Sequence, residues 1–546
     1  MSGWMPAVRF LPALAGRRGL LRSLVAGSAV AASVLLVPGA AAADEPAGTT
    51  VVGQLVQAWS EAEPGEDHGA EELTSWIQTP SGESLRVRTE DVPGVPAGAT
   101  VELTVGEPDG DDDPLHDVID TAVVALPAAP VLTNTAGRTN QVTVALVAPA
   151  GVARDGVTAQ QVVDLVDGPV AGFWSEQTDG ALALGVTDAR DWITTVAGCS
   201  DPTALWDEAA AAVGFVPGPG KHLLLYVSSR ATDCAYALAE VGAGPAGGGR
   251  MYVRDTTASV IAHELGHNFG LGHSSARQCD GAVESASCRT VGYRDYYDVM
   301  GVSWSQLGSL NAAQAARLGV LPAVAQQALA VSGAPVTVTL TPISGRTGTR
   351  AVRLTDAEGV DYWLEYRPAV GRDTWLSTTA NRFALDPGVL LRRGEGMPDT
   401  SVLLDATPSS AGAWDADRQA ALPVGAAVPV SGGDFTVVLD GVGPAGAVVT
   451  ITPSGSTAPA APARRSGTSA PAVLPAAGPP ATVAADAPQL WAPDYRGSRT
   501  LQGVSQASST TGTTSIPAVL AALAGSALAG SSLLGVRVLR RAARRR

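Results

Sequence analysis

Apolar and polar positions alternate with a period of two in "TTVVGQLVQAW", "LTSWIQT", "SLRVRT" and "ATVELTV", all between residues 44 and 137. Successive side chains of a strand point to opposite faces, so these runs predict a small N-terminal β domain with glycine, proline and acidic turns. The pattern changes between 138 and 322. There "QVTVALVAP" and "KHLLLYVSS" are nearly continuous apolar runs, as buried strands are, whereas "AQQVVDLVDGPVAGFWSEQ" and "PTALWDEAAAAVGF" carry helical spacing. Mixed helices and strands predict an α/β domain. Alternation returns between 330 and 452 in "VTVTLTP", "YWLEYR", "GVLLRR" and "FTVVLDGV", predicting a β-sandwich-like domain.

The remaining stretches lack such periods. Alanine, proline, serine, threonine and glycine dominate 453–515, which reads as a disordered tether with a root-mean-square reach of roughly 40–50 Å. Trp491 and Tyr495 within it are unexplained. Residues 1–43 read as a signal peptide: Arg17, Arg18 and Arg22 precede an apolar run from Leu24 to Val37, and Ala41–Ala43 fit a cleavage site. "RRGLL" also resembles a twin-arginine signal, so both export routes stay open. Near the other end, 516–536 is a run of 21 uncharged residues, long enough to cross a hydrocarbon core of about 30 Å as one transmembrane helix. The arginine-rich tail at 537–546 should remain in the cytoplasm. Ala521, Gly525 and Ala529 could pair such helices, but the oligomeric state stays open. "LPAAG" at 474–478 raises the alternative of a cell-wall sorting signal, against which stand Ala477 and the long interval to Ile516. Release by cleavage within the tether is a third route.

Charge agrees with an exported body. The chain of 546 residues carries a net charge of −16, and setting aside the ten arginines of leader and tail leaves −26 on the part between. That balance argues against nucleic acid as a partner.

Chemistry is concentrated in "VIAHELGHNFGLGH", residues 260–273, which holds three of the six histidines. His263 and His267 are four apart and share one face of a helix, so both imidazoles can reach one Zn²⁺. Glu264 adjoins the first ligand, where it could hold a water as general base. His273 would leave that face on a continuing helix. The chain must therefore stop and return, and Gly270 can supply the positive φ of the stop. His68 and His116 fall in acidic, loop-like stretches and His222 opens a strand; none has a partner at ligand spacing.

These residues resemble the metzincin clan of zinc endopeptidases, which pairs the His-Glu-x-x-His-x-x-Gly-x-x-His motif with a methionine in a tight turn. Met300 in "YRDYYDVMGVS" occupies that place, and "HELGHNFGLGHSS", "YDVMG" and "LNAAQAARLGVLP" are most similar to the gametolysin-like peptidases. The resemblance covers roughly 138–322 and implies a zinc metallopeptidase with His263, His267 and His273 as metal ligands and Glu264 as catalytic base. It further implies that "GRMYVRD" is the edge strand that aligns a peptide substrate. Val302 stands where some metzincins carry a tyrosine ligand, so none is expected, and Ser274 replaces the acidic residue several families place after the third histidine.

Cys199, Cys234, Cys279 and Cys288 form an even, exported set, which favours two disulfides over a cysteine metal site. Of three pairings, 199–234 and 279–288 join near neighbours. The expectation is thus an exported, membrane-anchored zinc endopeptidase acting on extracellular peptide or protein; the rival is a surface adhesin with a structural metal. Some metzincins are kept latent by a propeptide cysteine, but 44–137 contains none. Restraint by that domain would have to come from covering the cleft or from a carboxylate such as Asp111–Asp113; a permanent accessory domain is the alternative.

Overall fold

The computed structural model describes residues 48–62, 73–109, 114–127, 137–302 and 306–455. The chain divides into two units, Met1–Ala481 and Thr482–Arg546, and all described residues lie in the first. The signal peptide, nearly all of the tether with "LPAAG", the apolar run, the basic tail, His68 and Asp111–Asp113 lie outside them. Among the described residues no helix is long and apolar enough to cross a membrane.

The N-terminal region supplies β1 (Thr49–Glu61), β2 (Leu73–Gln78), β3 (Ser84–Val87), β4 (Thr100–Asp109) and β5 (Leu115–Ala125) around a core of Leu55, Ile77, Val87, Val101 and Leu103. His116 is not in a loop as its acidic surroundings suggest; it lies on β5, with Nδ1 2.9 Å from the Gly106 carbonyl.

The middle region supplies β6 (Asn140–Ala148), α1 (Ala159–Leu165), α2 (Ala171–Gln177), β7 (Leu184–Thr194), α3 (Pro202–Val213), β8 (Lys221–Val227), β9 (Ala237–Glu240), β10 (Gly249–Val253), α4 (Ala258–Asn268), β11 (Ser274–Cys279), β12 (Cys288–Val291) and α5 (Ala312–Arg317). The Thr158 side chain and Gln161 form a capping box that starts α1. A π-helical turn at Val166–Val170 separates α1 from α2; Pro169 within it cannot donate the backbone bond that a continuous α-helix needs. Asp201 caps α3, Pro202 opens it, and Gly214 closes it at φ 69°.

One ten-stranded sheet runs β2-β3-β5-β4-β1-β9-β10-β8-β6-β7, so strands from both sides of residue 138 share it. The edge role implied for "GRMYVRD" is not what the structure shows. β10 is flanked by parallel β8 and antiparallel β9, and the outer side of β9 is paired with β1.

The C-terminal region adds β13 (Gln326–Ala330), β14 (Val336–Leu340), β15 (Ala351–Thr355), β16 (Asp361–Arg367), β17 (Gly388–Gly394), β18 (Ser401–Leu404), β19 (Ala427–Val430), β20 (Phe435–Gly443) and β21 (Gly446–Pro453). They form a seven-stranded sheet, β12-β11-β18-β17-β16-β15-β13, and a four-stranded one, β14-β21-β20-β19. Val352, Leu364, Leu391 and Leu404 from the first pack with Leu340, Val430, Phe435 and Val449 from the second. β11, which directly follows His273, runs parallel to β18. Disulfides close between Cys199 and Cys234 and between Cys279 and Cys288, the latter tying β11 to β12.

Candidate metal centre

α4 carries His263, Glu264 and His267, all fully buried. It ends in a Schellman turn: the Leu271 amide donates to the Gly266 carbonyl at 3.0 Å, and the Gly270 amide to that of His267 at 2.8 Å. Gly270 takes φ 87°, and the reversal brings His273 back to the first two histidines. The turn also orients a ligand, because the Leu271 carbonyl lies 2.9 Å from His267 Nδ1. The Val299 carbonyl does the same for His263 Nδ1 at 2.8 Å. A ring nitrogen that donates to a carbonyl leaves the opposite Nε2 with its lone pair free for a metal.

Met300 lies beneath α4. A Cβ on Gly266 would stand 2.2 Å from the Met300 sulfur, so only glycine allows this approach. Asp298 holds the turn: one carboxylate oxygen accepts from the Met300 amide at 2.9 Å and the Ser274 hydroxyl at 2.8 Å, the other from the Asn311 amide at 2.6 Å. The Ser274 amide in turn donates to the Met300 carbonyl. Ser274 thus serves the turn through both its hydroxyl and its amide.

Sequence spacing gives no hint of the fourth donor. Glu61 ends β1 some 200 residues before the motif, yet one of its carboxylate oxygens lies 3.5 Å from His263 Nε2, 3.4 Å from His267 Nε2 and 3.3 Å from His273 Nε2. The four ligand atoms all fall within 4.8 Å of one another. A regular tetrahedron with metal–ligand bonds of about 2.05 Å has edges of about 3.3 Å, which the three distances from this oxygen match, and three imidazoles with one carboxylate are donors that zinc takes. The donor set therefore fits zinc. One signal was available: Leu55, Gln57, Trp59 and Glu61 share the inward face of β1 at a period of two, which puts a carboxylate on a buried face.

Burial alone would raise the Glu61 carboxyl, but the imidazoles, His263 foremost, outweigh it and hold the group well below the usual carboxylate range. Burial pushes His267 down, and His273 to about 3, so both favour the neutral, metal-binding form. Glu264 moves the other way. Burial and then the charge of Glu61 push it well above its ordinary value, and neither of its oxygens has a hydrogen-bond partner among the described residues. The ring centroids of Trp59 and Tyr293 lie 4.4 and 3.7 Å from that of His273.

The structure thus gathers His263, His267 and His273 with Glu264 beside them and Met300 below, and adds Glu61; Asp111–Asp113 lie outside the described residues. His222 belongs elsewhere, buried between Asn140 and Asn268 at 3.0 Å from each and pushed down to about 4 by burial.

Residues 227–296 match the family model described as Metallo-peptidase family M12B Reprolysin-like. With the buried cluster of three histidines and a glutamate, this supports a metallopeptidase. Comparison with curated proteins finds no match. Among solved structures, one titled "Structure of a chaperone-substrate complex" aligns at 12% identity over 42% of this chain and 33% of that one, with a TM-score of 0.17 that carries no argument about fold.

Proposed function

We propose that this protein is a zinc-dependent endopeptidase, most similar to the gametolysin-like metzincins, exported and held at the outer face of the cytoplasmic membrane by its C-terminal apolar run. The observation that carries the reading is the pairing of three converging imidazoles with a buried carboxylate on Glu264 that has no hydrogen-bond partner among the described residues. His263, His267 and His273 would hold the metal. Bound zinc supplies a Lewis acid that acidifies water and polarises a peptide carbonyl. Glu264 takes the proton from the attacking water and delivers it to the leaving amine. The carbonyls of Val299 and Leu271 keep the His263 and His267 rings in one tautomer throughout. Soluble extracellular peptides and proteins are the substrate class, and the acidic body and export features suit that setting.

A second reading has one observation in its favour. Four protein donors around one point make a closed site, as structural zinc sites are, which suits an adhesin. Glu264→Gln separates the two. For the endopeptidase, the variant keeps one zinc per chain while peptide hydrolysis falls by roughly 10²–10⁴ or more. Hydrolysis at the parental rate would reject Glu264 as the base, and no hydrolysis by any form of the protein would favour the structural site.

A further inference from the structure

We propose that the C-terminal region completes the metal centre: the Thr400 hydroxyl, held between the Gly272 amide and Gln314, positions His273 as third ligand. The inference rests on the metallopeptidase reading and adds a positioning residue to its site.

His263 and His267 need no such support. They stand on one helix, and a backbone carbonyl holds each ring at Nδ1. His273 has neither aid. It follows the turn at Gly270, and among the described residues its ring is bonded only through Nε2. The backbone is therefore the handle by which the ring is placed. Gly272 and His273 are both buried, so the polar groups of that backbone need partners.

All four of those groups are paired. The Gly272 amide donates to Thr400 Oγ1 at 2.8 Å, and the Gly272 carbonyl accepts from Gln314 Nε2 at 3.1 Å. The His273 amide donates to the Pro398 carbonyl at 3.0 Å, and the His273 carbonyl accepts from the Ser401 amide at 3.3 Å. Pro398, Thr400 and Ser401 sit at the entry to β18, Thr400 lying 128 positions beyond Gly272. Thr400 also governs the remaining partner. Its hydroxyl donates to Gln314 Oε1 at 2.9 Å and so aims the Gln314 amide at the Gly272 carbonyl.

A hydroxyl is what this place requires, because it accepts from one neighbour while donating to the other. Thr400 and Gln314 are almost fully buried, so losing either bond leaves a buried group unpaired. The approach is also close. A Cβ on Gly272 would lie 2.1 Å from the Pro398 carbonyl oxygen and 2.9 Å from the Met397 sulfur. Just past His273 the parallel ladder of β11 with β18 begins at Ser274↔Ser401. The glycine turn sends His273 back toward α4, and the 398–401 segment fixes where it stops. A functional side chain has to be held within about 0.5 Å of its working position.

The test uses the full chain with Co²⁺, whose visible absorption reports on the ligand field. It compares the parent with Thr400→Val, Thr400→Ser, Gln314→Met and, as a control in the C-terminal core, Val437→Ala. Valine keeps the shape of threonine but neither accepts nor donates. Thr400→Val should bind Co²⁺ about 10–100-fold more weakly against a competing chelator, with altered absorption bands. Thr400→Ser should return both toward the parent. Gln314→Met should weaken binding in the same direction, and it carries the test if the valine variant does not fold. Val437→Ala should lower the melting temperature while keeping the parental affinity and spectrum. Parental affinity and spectrum in Thr400→Val and Gln314→Met would overturn the proposal. Equal weakening by Val437→Ala would also overturn it, since lost stability would then explain the effect. A serine variant as weak as the valine one would reject the hydroxyl as the positioning group. A parent that takes up no Co²⁺ would remove the metal centre itself, and the proposal with it.

Discussion

The middle region meets its two neighbours through shared sheets, but the two joints are built differently. On the C-terminal side the contact is buried and densely bonded. Arg392 pairs with Asp295 at 2.9 Å and also with Glu365, while Arg367 pairs with Glu365 at 2.8 Å and donates to the Tyr297 and Ser309 carbonyls at 2.8 and 2.9 Å. All four charged side chains are fully buried. Ile343, Ala351 and Trp363 from this side also enter the core around α4. On the N-terminal side β1 contributes a short ladder to β9, and Ala58 and Trp76 reach the core around Trp206, but clefts run between the rest. The difference teaches that the C-terminal sheet is part of what holds the metal turn in place. The N-terminal strand meets the site through that short ladder and the Glu61 carboxylate.

The largest expected effect breaks the tighter joint. Arg392→Met leaves Asp295 and Glu365 buried with a missing partner, which should cost about 3–5 kcal/mol. Calorimetric and circular-dichroism melting would read it, and a loss below about 1 kcal/mol, the scale of an exposed pair, would contradict the contrast drawn between the joints.

A middle-sized effect compares the joints directly. In native-state hydrogen exchange the Tyr236 and Val241 amides, which donate to β1, should exchange at least about tenfold faster than those of Ser401 and Asp405, which donate to His273 and Arg277. Equal protection would mean that β1 is as firmly held as β18, and the contrast between the joints would fail.

The smallest effect is a pH dependence at the C-terminal joint. Burial raises the Asp405 carboxyl to about 6, whereas the unfolded acid titrates near about 3.9. The folded state therefore binds this proton more tightly, so the group's contribution to stability falls as pH rises from about 4 through about 6. Asp405→Asn keeps an acceptor for the Thr407 amide and removes the ionisation. Its melting temperature should match the parent near pH 4 and exceed it by roughly a degree or more at pH 7. The same difference at both pH values would refute the assignment.

Much of the site could be read from residues close in sequence. His263, Glu264 and His267 follow from the pitch of one helix, and the turn at Gly270 follows from the need to return His273. The π turn at Pro169 lay within reach of the same logic, since proline interrupts the periodic run at that point. Glu61 and the true edge strand did not. The resemblance implied an edge role for "GRMYVRD", but whether a strand is outermost depends on what pairs with it, and here β9 and then β1 lie beyond.

By itself the sequence determined the spacing of the histidines on α4, the alternation of strands, the placement of Met300 downstream and the even set of cysteines, because helix pitch and strand pleat act over a few residues. Tertiary structure alone decided that β1 pairs with β9, that β11 pairs with β18, and that Glu61 closes the ring of histidines. Strand pairing between distant segments depends on register and on which edges remain open once the rest has packed. No local pattern encodes that choice.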